Sequence, residues 1–226
     1  MARRPLKTTR SAGMSQQQLR RNSYHHGNLK QALIEAATEM ILESGIASVT
    51  MRALARRVGV SPAAYAYHFP DKGSLLMAIA TEGFRKLNAH FEPARNVGDP
   101  RERLHVLGER YIDFALAYPG HYRVMFEDHS ALDHANPDEE FLSESGAAFR
   151  TLLHAMENVM PTGEDTACAL DGALTVWSQI HGAVLLWNTG MFPPPLEETA
   201  ERSEDDFRRI TIGALSTTVA GLAAGD

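Results

Sequence analysis

From Asn28 onward, apolar residues recur at helical spacing. Leu29, Leu33, Ala37, Met40 and Ile41 share one side of a helix, Lys30, Glu35 and Glu39 take the other, and Gly45 supplies a stop. Thr50 reads as the next N-cap, with Val49 and Leu54 at the staple positions around it. Met51, Leu54, Ala55 and Val58 form a second, shorter stripe that leaves Arg52, Arg56 and Arg57 off it, and Gly59 breaks the helix. Val60 reads as a core plug and Ser61 as an N-cap. Pro62 opens a third helix, where its missing N–H costs nothing, and that helix runs to about His68.

Past Pro93 and the Gly98-Asp99-Pro100 break the helical period continues. It predicts helices at Pro100–Tyr118, Gly120–Glu127, Pro137–Met160, Asp165–Thr189 and Ser203–Ala223. The breaks fall at Pro119, Asp128–Asn136, Pro161-Thr162-Gly163 and Phe192-Pro193-Pro194-Pro195. No stretch alternates as a strand, so the expected fold is all-α. Leu170, Leu174, Trp177, His181, Val184 and Asn188 form one stripe of the fourth of these helices; Ala173, Val176, Ile180, Ala183 and Trp187 form another. A helix apolar on two sides is buried on two sides. The last helix carries Phe207, Ile210, Ala214, Thr217, Thr218 and Gly221, small enough for close approach. The pair predicts a four-helix bundle across a two-fold axis, hence a homodimer.

Composition narrows the class. The chain has 226 residues, 44% hydrophobic and 22% charged, the balance of a globular protein. A lone cysteine, Cys168, excludes a disulfide framework and fits a reducing cytoplasm. No run of about 18 apolar residues exists, so no membrane partner is expected. Charge is split: Met1 to Arg95 holds 14 basic against 6 acidic residues, a net of +8, whereas Asn96 to Asp226 holds 8 against 22, a net of −14. The N-terminal part is suited to a polyanion and the C-terminal part is not. Residues 1–22 contain six Arg and Lys, no acid and no apolar period, and read as a disordered basic arm.

Two short capped helices joined by a glycine turn, with small Ala55 where they cross, make a helix-turn-helix pattern. Around it the chain resembles the TetR family of transcriptional regulators. The resemblance rests on Tyr24-His25-His26-Gly27-Asn28-Leu29, Thr50-Met51-Arg52-Ala53-Leu54-Ala55, Gly59-Val60-Ser61-Pro62-Ala63-Ala64 and His68-Phe69-Pro70-Asp71-Lys72-Gly73-Ser74-Leu75-Leu76. One departure stands out: where the family usually has Tyr three residues before the Phe, this chain has Ala66, flanked by Tyr65 and Tyr67. Tyr118-Pro119-Gly120-His121-Tyr122-Arg123-Val124-Met125-Phe126 and Trp177-Ser178-Gln179-Ile180-His181-Gly182 resemble a C-terminal subfamily with a Trp-x-x-x-His-Gly signature. This resemblance implies an effector-binding and dimerisation domain.

The organisation expected is a basic arm over 1–22, a DNA-binding domain over 23–70, a connecting helix within 71–94 and a ligand-binding and dimerisation domain over 95–226. A recognition helix presents its N-terminal residues to base edges; here these are Ser61, Pro62, Ala63 and Ala64, with Tyr67 a turn further on. Such residues favour thymine methyls and DNA shape over guanine pairing by Arg. His68, Lys72, Thr50 and Arg52 suit phosphate, whereas Tyr65 and Phe69 suit core. The connecting helix is the expected lever between domains. Phe114, Met125, Phe126, Phe149, Met156, Trp177 and His181 either line an effector cavity or fill a core.

No phosphate-cradling glycine loop, nucleophile elbow or zincin motif occurs, so no enzyme, cofactor or metal is expected. Asp128, His129, Asp133 and His134 read as a solvated loop. The resulting expectation is a cytoplasmic, dimeric repressor that a small-molecule effector releases from a palindromic operator in double-stranded DNA. Alternatives are a DNA-binding regulator without an effector, and an enzyme or carrier of apolar small molecules.

Overall fold

A computed structural model describes residues 29–126, 137–160, 166–192 and 202–224. The basic arm, the motif residues Tyr24 to Asn28, the Asp128–His134 loop and the Pro161-Thr162-Gly163 and Pro193–Pro195 breaks lie outside the described residues. The described residues form nine α-helices and no strand.

Helix α1 (Leu29–Ser44) packs Leu33, Ile34, Ala37 and Ile41 inward; Gly45, at φ 79°, stops it, and a short 3-10 turn, Ile46–Ser48, redirects the chain. Helix α2 (Met51–Val58) starts as its caps dictate, with Thr50 Oγ1 accepting the Ala53 N–H at 3.1 Å. It ends in a Schellman turn: the Val60 N–H reaches back to the Ala55 carbonyl at 3.0 Å, and Gly59 takes the left-handed φ of 77° that a side chain would resist. Helix α3 (Pro62–His68) begins on Ser61, whose Oγ accepts the Ala64 N–H at 3.2 Å.

Helix α4 (Lys72–Phe91) opens with a capping box in which the Ser74 N–H donates to Asp71 Oδ1 at 2.7 Å. After the second 3-10 turn (Glu92–Asn96) come α5 (Pro100–Ala117), α6 (Pro119–Phe126), α7 (Glu139–Glu157), α8 (Thr166–Asn188) and α9 (Glu204–Ala224). Helix α7 is shorter than the sequence spacing predicts. Asp138 stands outside it as N-cap, accepting the Phe141 N–H at 2.7 Å, and Asn158 closes the other end.

One continuous apolar core runs from Leu33, Leu54 and Phe69 of the helix-turn-helix end through Leu75 and Ile79 of α4 to Ile112, Val184 and Leu215. Helix α4 is the shared spine, packing against α5, α6 and α7. Arg85 on α4 pairs with Glu140 and Glu144 of α7, and the Asn88 amide donates to Glu144 at 2.8 Å, which clasps the spine to the cavity wall.

Candidate nucleic-acid interface and internal cavity

At the N-terminal end, α2 buries one face, whereas α3 holds no buried residue, only half-buried Ala64, Tyr65 and His68 beside its exposed positions. Leu54, Ala55 and Phe69 are buried, and Tyr65 packs half-buried against the same core. Ser61, Pro62 and Ala63 are exposed at the start of α3. Tyr67, at 87% exposure, stands out from its far end, edge-on to the half-buried His68 ring at 5.2 Å. That edge contact leaves most of the Tyr67 ring in solvent. Ala66 is also exposed, so the tyrosine missing there leaves Tyr67 as the aromatic group on that surface.

The basic residues divide into held and open groups. Arg57 is held by α1: its guanidinium donates to both Glu43 oxygens at 2.7 Å and to Glu39 at 3.0 Å, which lowers the Glu43 carboxyl below its usual range. It therefore fixes the angle between α1 and α2, where the sequence suggested only an off-stripe charge. Arg52 and Arg56 are exposed with no ion pair among the described residues. Lys72 is half-buried, and its ammonium donates to the Ile46 carbonyl at 2.7 Å, tying the start of α4 to the turn before α2. Two of its three donors are left over for a phosphate.

Toward the other domain, α6 is wedged between α1 and α4. Any side chain at Gly120 would meet the Thr38 carbonyl of α1 at 2.9 Å, and Arg123 donates to the Ile41 carbonyl at 3.4 Å. Beside this contact, Glu82 of α4 accepts from His121 of α6 at 3.3 Å, from Gln31 of α1 at 3.3 Å and from Lys86 at 3.2 Å. These bonds, led by that from His121, hold the Glu82 carboxyl down to about 2 despite its burial. Three helices meet at one carboxylate.

A cavity of about 450 Å3 lies in the C-terminal bundle. Helix α4 contributes Phe84, Leu87 and Phe91, α5 contributes Leu104, Leu107 and Tyr111, and α7 contributes Ser145, Phe149 and Leu152. Helix α8 adds Leu174, Val176, Trp177 and Ile180, with Phe126 of α6 and Leu215 of α9 closing the ends. Of the sequence-predicted cavity residues, Phe126, Phe149 and Trp177 stand together in this wall, their rings in edge contact at 6.4 and 5.9 Å.

The other four are elsewhere, each for a packing reason. Phe114 is fully buried between His90 and Tyr118. Met125 packs onto Gly83 of α4, and Met156 packs onto Gly172 of α8, so both thioethers fill glycine gaps between helices. His181 stacks on Tyr122, and its Nδ1 is taken by the Tyr122 hydroxyl at 2.7 Å and the Tyr111 hydroxyl at 3.0 Å. Burial lowers the His181 pKa, which disfavours the charged ring. The α4 wall went unnoticed in the sequence, although Phe84, Leu87 and Phe91 fall at i, i+3 and i+7.

Helices α8 and α9 also carry exposed apolar side chains. Leu185 and Leu186 of α8 are exposed, the second at 46%, and Ile210, Ala214 and Thr217 of α9 are exposed too. Phe207 departs from the expected stripe: it is fully buried and stacks on Trp187 at 4.6 Å within the same chain. Cys168 is half-buried.

Residues 33–79 match the family described as bacterial regulatory proteins, tetR family, and residues 104–207 match the tetracyclin repressor-like C-terminal domain. The transcriptional regulator BetI of Rhizobium meliloti (strain 1021) is 37% identical over 79 residues, 34% of this chain and 39% of BetI. The chain thus spans about two fifths of the length of the curated relatives it matches. Among solved structures, a Rhodococcus sp. RHA1 protein of unknown function has a TM-score of 0.68 at 27% identity, covering 88% of this chain and 98% of its own. A minocycline-bound TetR variant from Acinetobacter baumannii AYE has a TM-score of 0.56 at 25% identity, covering 84% and 93%. With both matched segments in the order and positions that the geometry assigns to a helix-turn-helix and a helical bundle, the chain belongs to the TetR family of transcriptional regulators.

Proposed function

We propose that this protein is a dimeric repressor that grips two-fold symmetric duplex DNA with a pair of α3 helices and lets go when a small molecule occupies the cavity. The observation that carries the reading is the exposed edge of α3, Ser61 to Ala63 and Tyr67, on a helix held to the core through half-buried Tyr65 and the buried Phe69 that follows it. In the proposed roles, Ser61, Pro62, Ala63, Ala64 and Tyr67 read bases, while Thr50, Arg52, His68 and Lys72 bind phosphate. One α3 covers only a few base pairs, so useful specificity needs two, about 34 Å apart on successive grooves. The exposed Leu185, Leu186 and Ile210 support α8 and α9 as the surface that pairs the copies.

The cavity and the DNA end share α4. Its 20 residues span about 30 Å, from Lys72 at the helix-turn-helix to Phe91 in the cavity wall. A ligand that fits better when α4 is displaced favours a dimer whose α3 helices miss successive grooves; only such differential affinity shifts the population. A coupling of about 1–3 kcal/mol gives release of roughly 5- to 150-fold. Residues 23–70 are assigned here to DNA binding, 71–94 to the connection and 95–226 to ligand and partner. Selection of bound duplexes from a random pool at fixed salt tests the reading. A two-fold symmetric motif is expected, and binding without sequence preference overturns it.

A further inference from the structure

The chemistry of the cavity wall restricts what can occupy it. Among the described residues no Asp, Glu, Lys, Arg or His contributes to the lining. Its surface is aromatic rings, among them Phe84, Phe91, Phe149 and Trp177, and branched aliphatic chains. Two hydroxyls interrupt it. That of Ser145 spends its proton on the Phe141 carbonyl at 2.7 Å, and that of Tyr111 sits 3.0 Å from His181 Nδ1 and 3.4 Å from the Tyr122 oxygen. Burial pushes the Tyr111 phenol up to about 12, so it stays neutral, and with its proton directed at His181 or Tyr122 its oxygen is left to accept a hydrogen bond.

At the rim, among the described residues, the guanidinium of Arg150 lies over Gly146 but is exposed to solvent. Arg85, next to Phe84, is committed to Glu140 and Glu144, and Glu144, next to Ser145, is committed to Arg85 and Asn88. A ligand charge brought against this wall would lose its hydration and find no partner among the lining side chains, which costs far more than apolar contact returns. The volume of about 450 Å3 lies within the roughly 300–1,000 Å3 of small-molecule sites, enough for two or three fused or linked rings.

We propose that the cavity selects an uncharged, mainly apolar molecule built on ring systems, with one hydroxyl donating to the Tyr111 oxygen, and rejects anionic and cationic derivatives of the same skeleton. This rests on the reading of the cavity as an effector site and specifies the class of its ligand.

Two matched probe pairs test it on the full-length chain. N-phenyl-1-naphthylamine is compared with its sulfonate, 1-anilinonaphthalene-8-sulfonate, and 1,6-diphenylhexatriene with its trimethylammonium derivative, by fluorescence titration. The neutral member of each pair is expected to bind at least about tenfold tighter. Filling the space with Ser145→Phe, or with Leu152→Trp should the first variant fail to fold by circular dichroism, is expected to weaken the neutral probes by at least about tenfold. Equal or tighter binding of the charged members, no binding of either neutral probe, or neutral-probe affinity unchanged in a folded filled variant would each overturn the proposal.

DNA binding is read separately, by gel shift on the selected duplex with and without N-phenyl-1-naphthylamine. Release of DNA by the sulfonate or the ammonium probe, with neutral probes inert, sinks the ligand class and spares the regulatory reading. Neutral probe seated in the cavity with DNA affinity unmoved supports the ligand class and counts against the regulatory reading.

Discussion

The hydroxyl of Tyr122 lies 2.7 Å from Nδ1 of His181, with the two rings stacked 5.6 Å apart, so α6 and α8 are joined by a half-buried hydrogen bond beside the cavity. Tyr111 stands 3.0 Å from the same nitrogen and can take over the donation. Tyr122→Phe should therefore cost only about 1 kcal/mol of stability. The Tyr111→Phe, Tyr122→Phe double variant strands the acceptor and should cost about 1–3 kcal/mol more than the two single losses combined. Urea unfolding checks this, and strict additivity would contradict the shared-acceptor arrangement.

The same histidine gives the fold a pH dependence. Its pKa is lowered by burial from 6.5, so below that value the unfolded chain takes up a proton that the folded chain refuses. Stability due to His181 is complete above 6.5 and is lost as the pH falls toward the lowered folded value. Between about pH 7.5 and about pH 5.5 the wild-type unfolding midpoint should drop more than that of His181→Asn, as thermal denaturation would show.

Glu82 acts in a lower window. Its folded pKa of about 2 against an ordinary 4.5 means that its contribution is complete above 4.5 and disappears as the pH falls through about 2. Replacing it by Gln should flatten the acid limb of the stability curve. It should also loosen the contact of α1 with α4 and α6, seen as faster amide exchange at the Gln31 end of α1.

On the DNA surface, Arg52→Ala should weaken binding to all duplexes alike and reduce the slope of affinity against salt by about 1, the loss of one phosphate contact. Tyr67→Ala should leave the slope unchanged and alter the selected sequence. Arg57→Ala is the control with the opposite signature: it releases Glu39 and Glu43 from α2, so it should lower stability as well as affinity.

Much of this was readable beforehand because caps and periods are local. Thr50 and Ser61 each accept the N–H three residues on, and Gly45 and Gly59 take positive φ where the sequence places a stop. What the sequence withheld depends on contacts between distant helices. The 3-10 turn at Ile46–Ser48 has no periodic signature, and Arg57 looks no different from Arg56 until Glu39 and Glu43 are brought alongside. Likewise Met125 and Met156 have the chemistry of pocket residues, yet Gly83 and Gly172, far off in sequence, decide that both fill gaps between helices. His181 lies one turn from Trp177, which suggested a shared wall; the hydroxyls of Tyr111 and Tyr122 claim its ring instead.

In the proposed dimer, the copies pair through the exposed side chains of α8 and α9. Leu185→Glu with Ile210→Glu should give a folded monomer in sedimentation at concentrations where the wild type is dimeric, because two charges would enter an apolar interface. Affinity for a two-half-site duplex should fall by at least about tenfold, since the second α3 no longer binds intramolecularly.

The central claim, two α3 helices held at a fixed distance over successive grooves, is tested most directly by altering the spacing of the selected site. Inserting five base pairs at its centre turns one half-site to the opposite face of the duplex, about half of a 10.5-base-pair turn. The account predicts that affinity in an anisotropy titration then collapses to the level of a single half-site. Affinity indifferent to that insertion would contradict it.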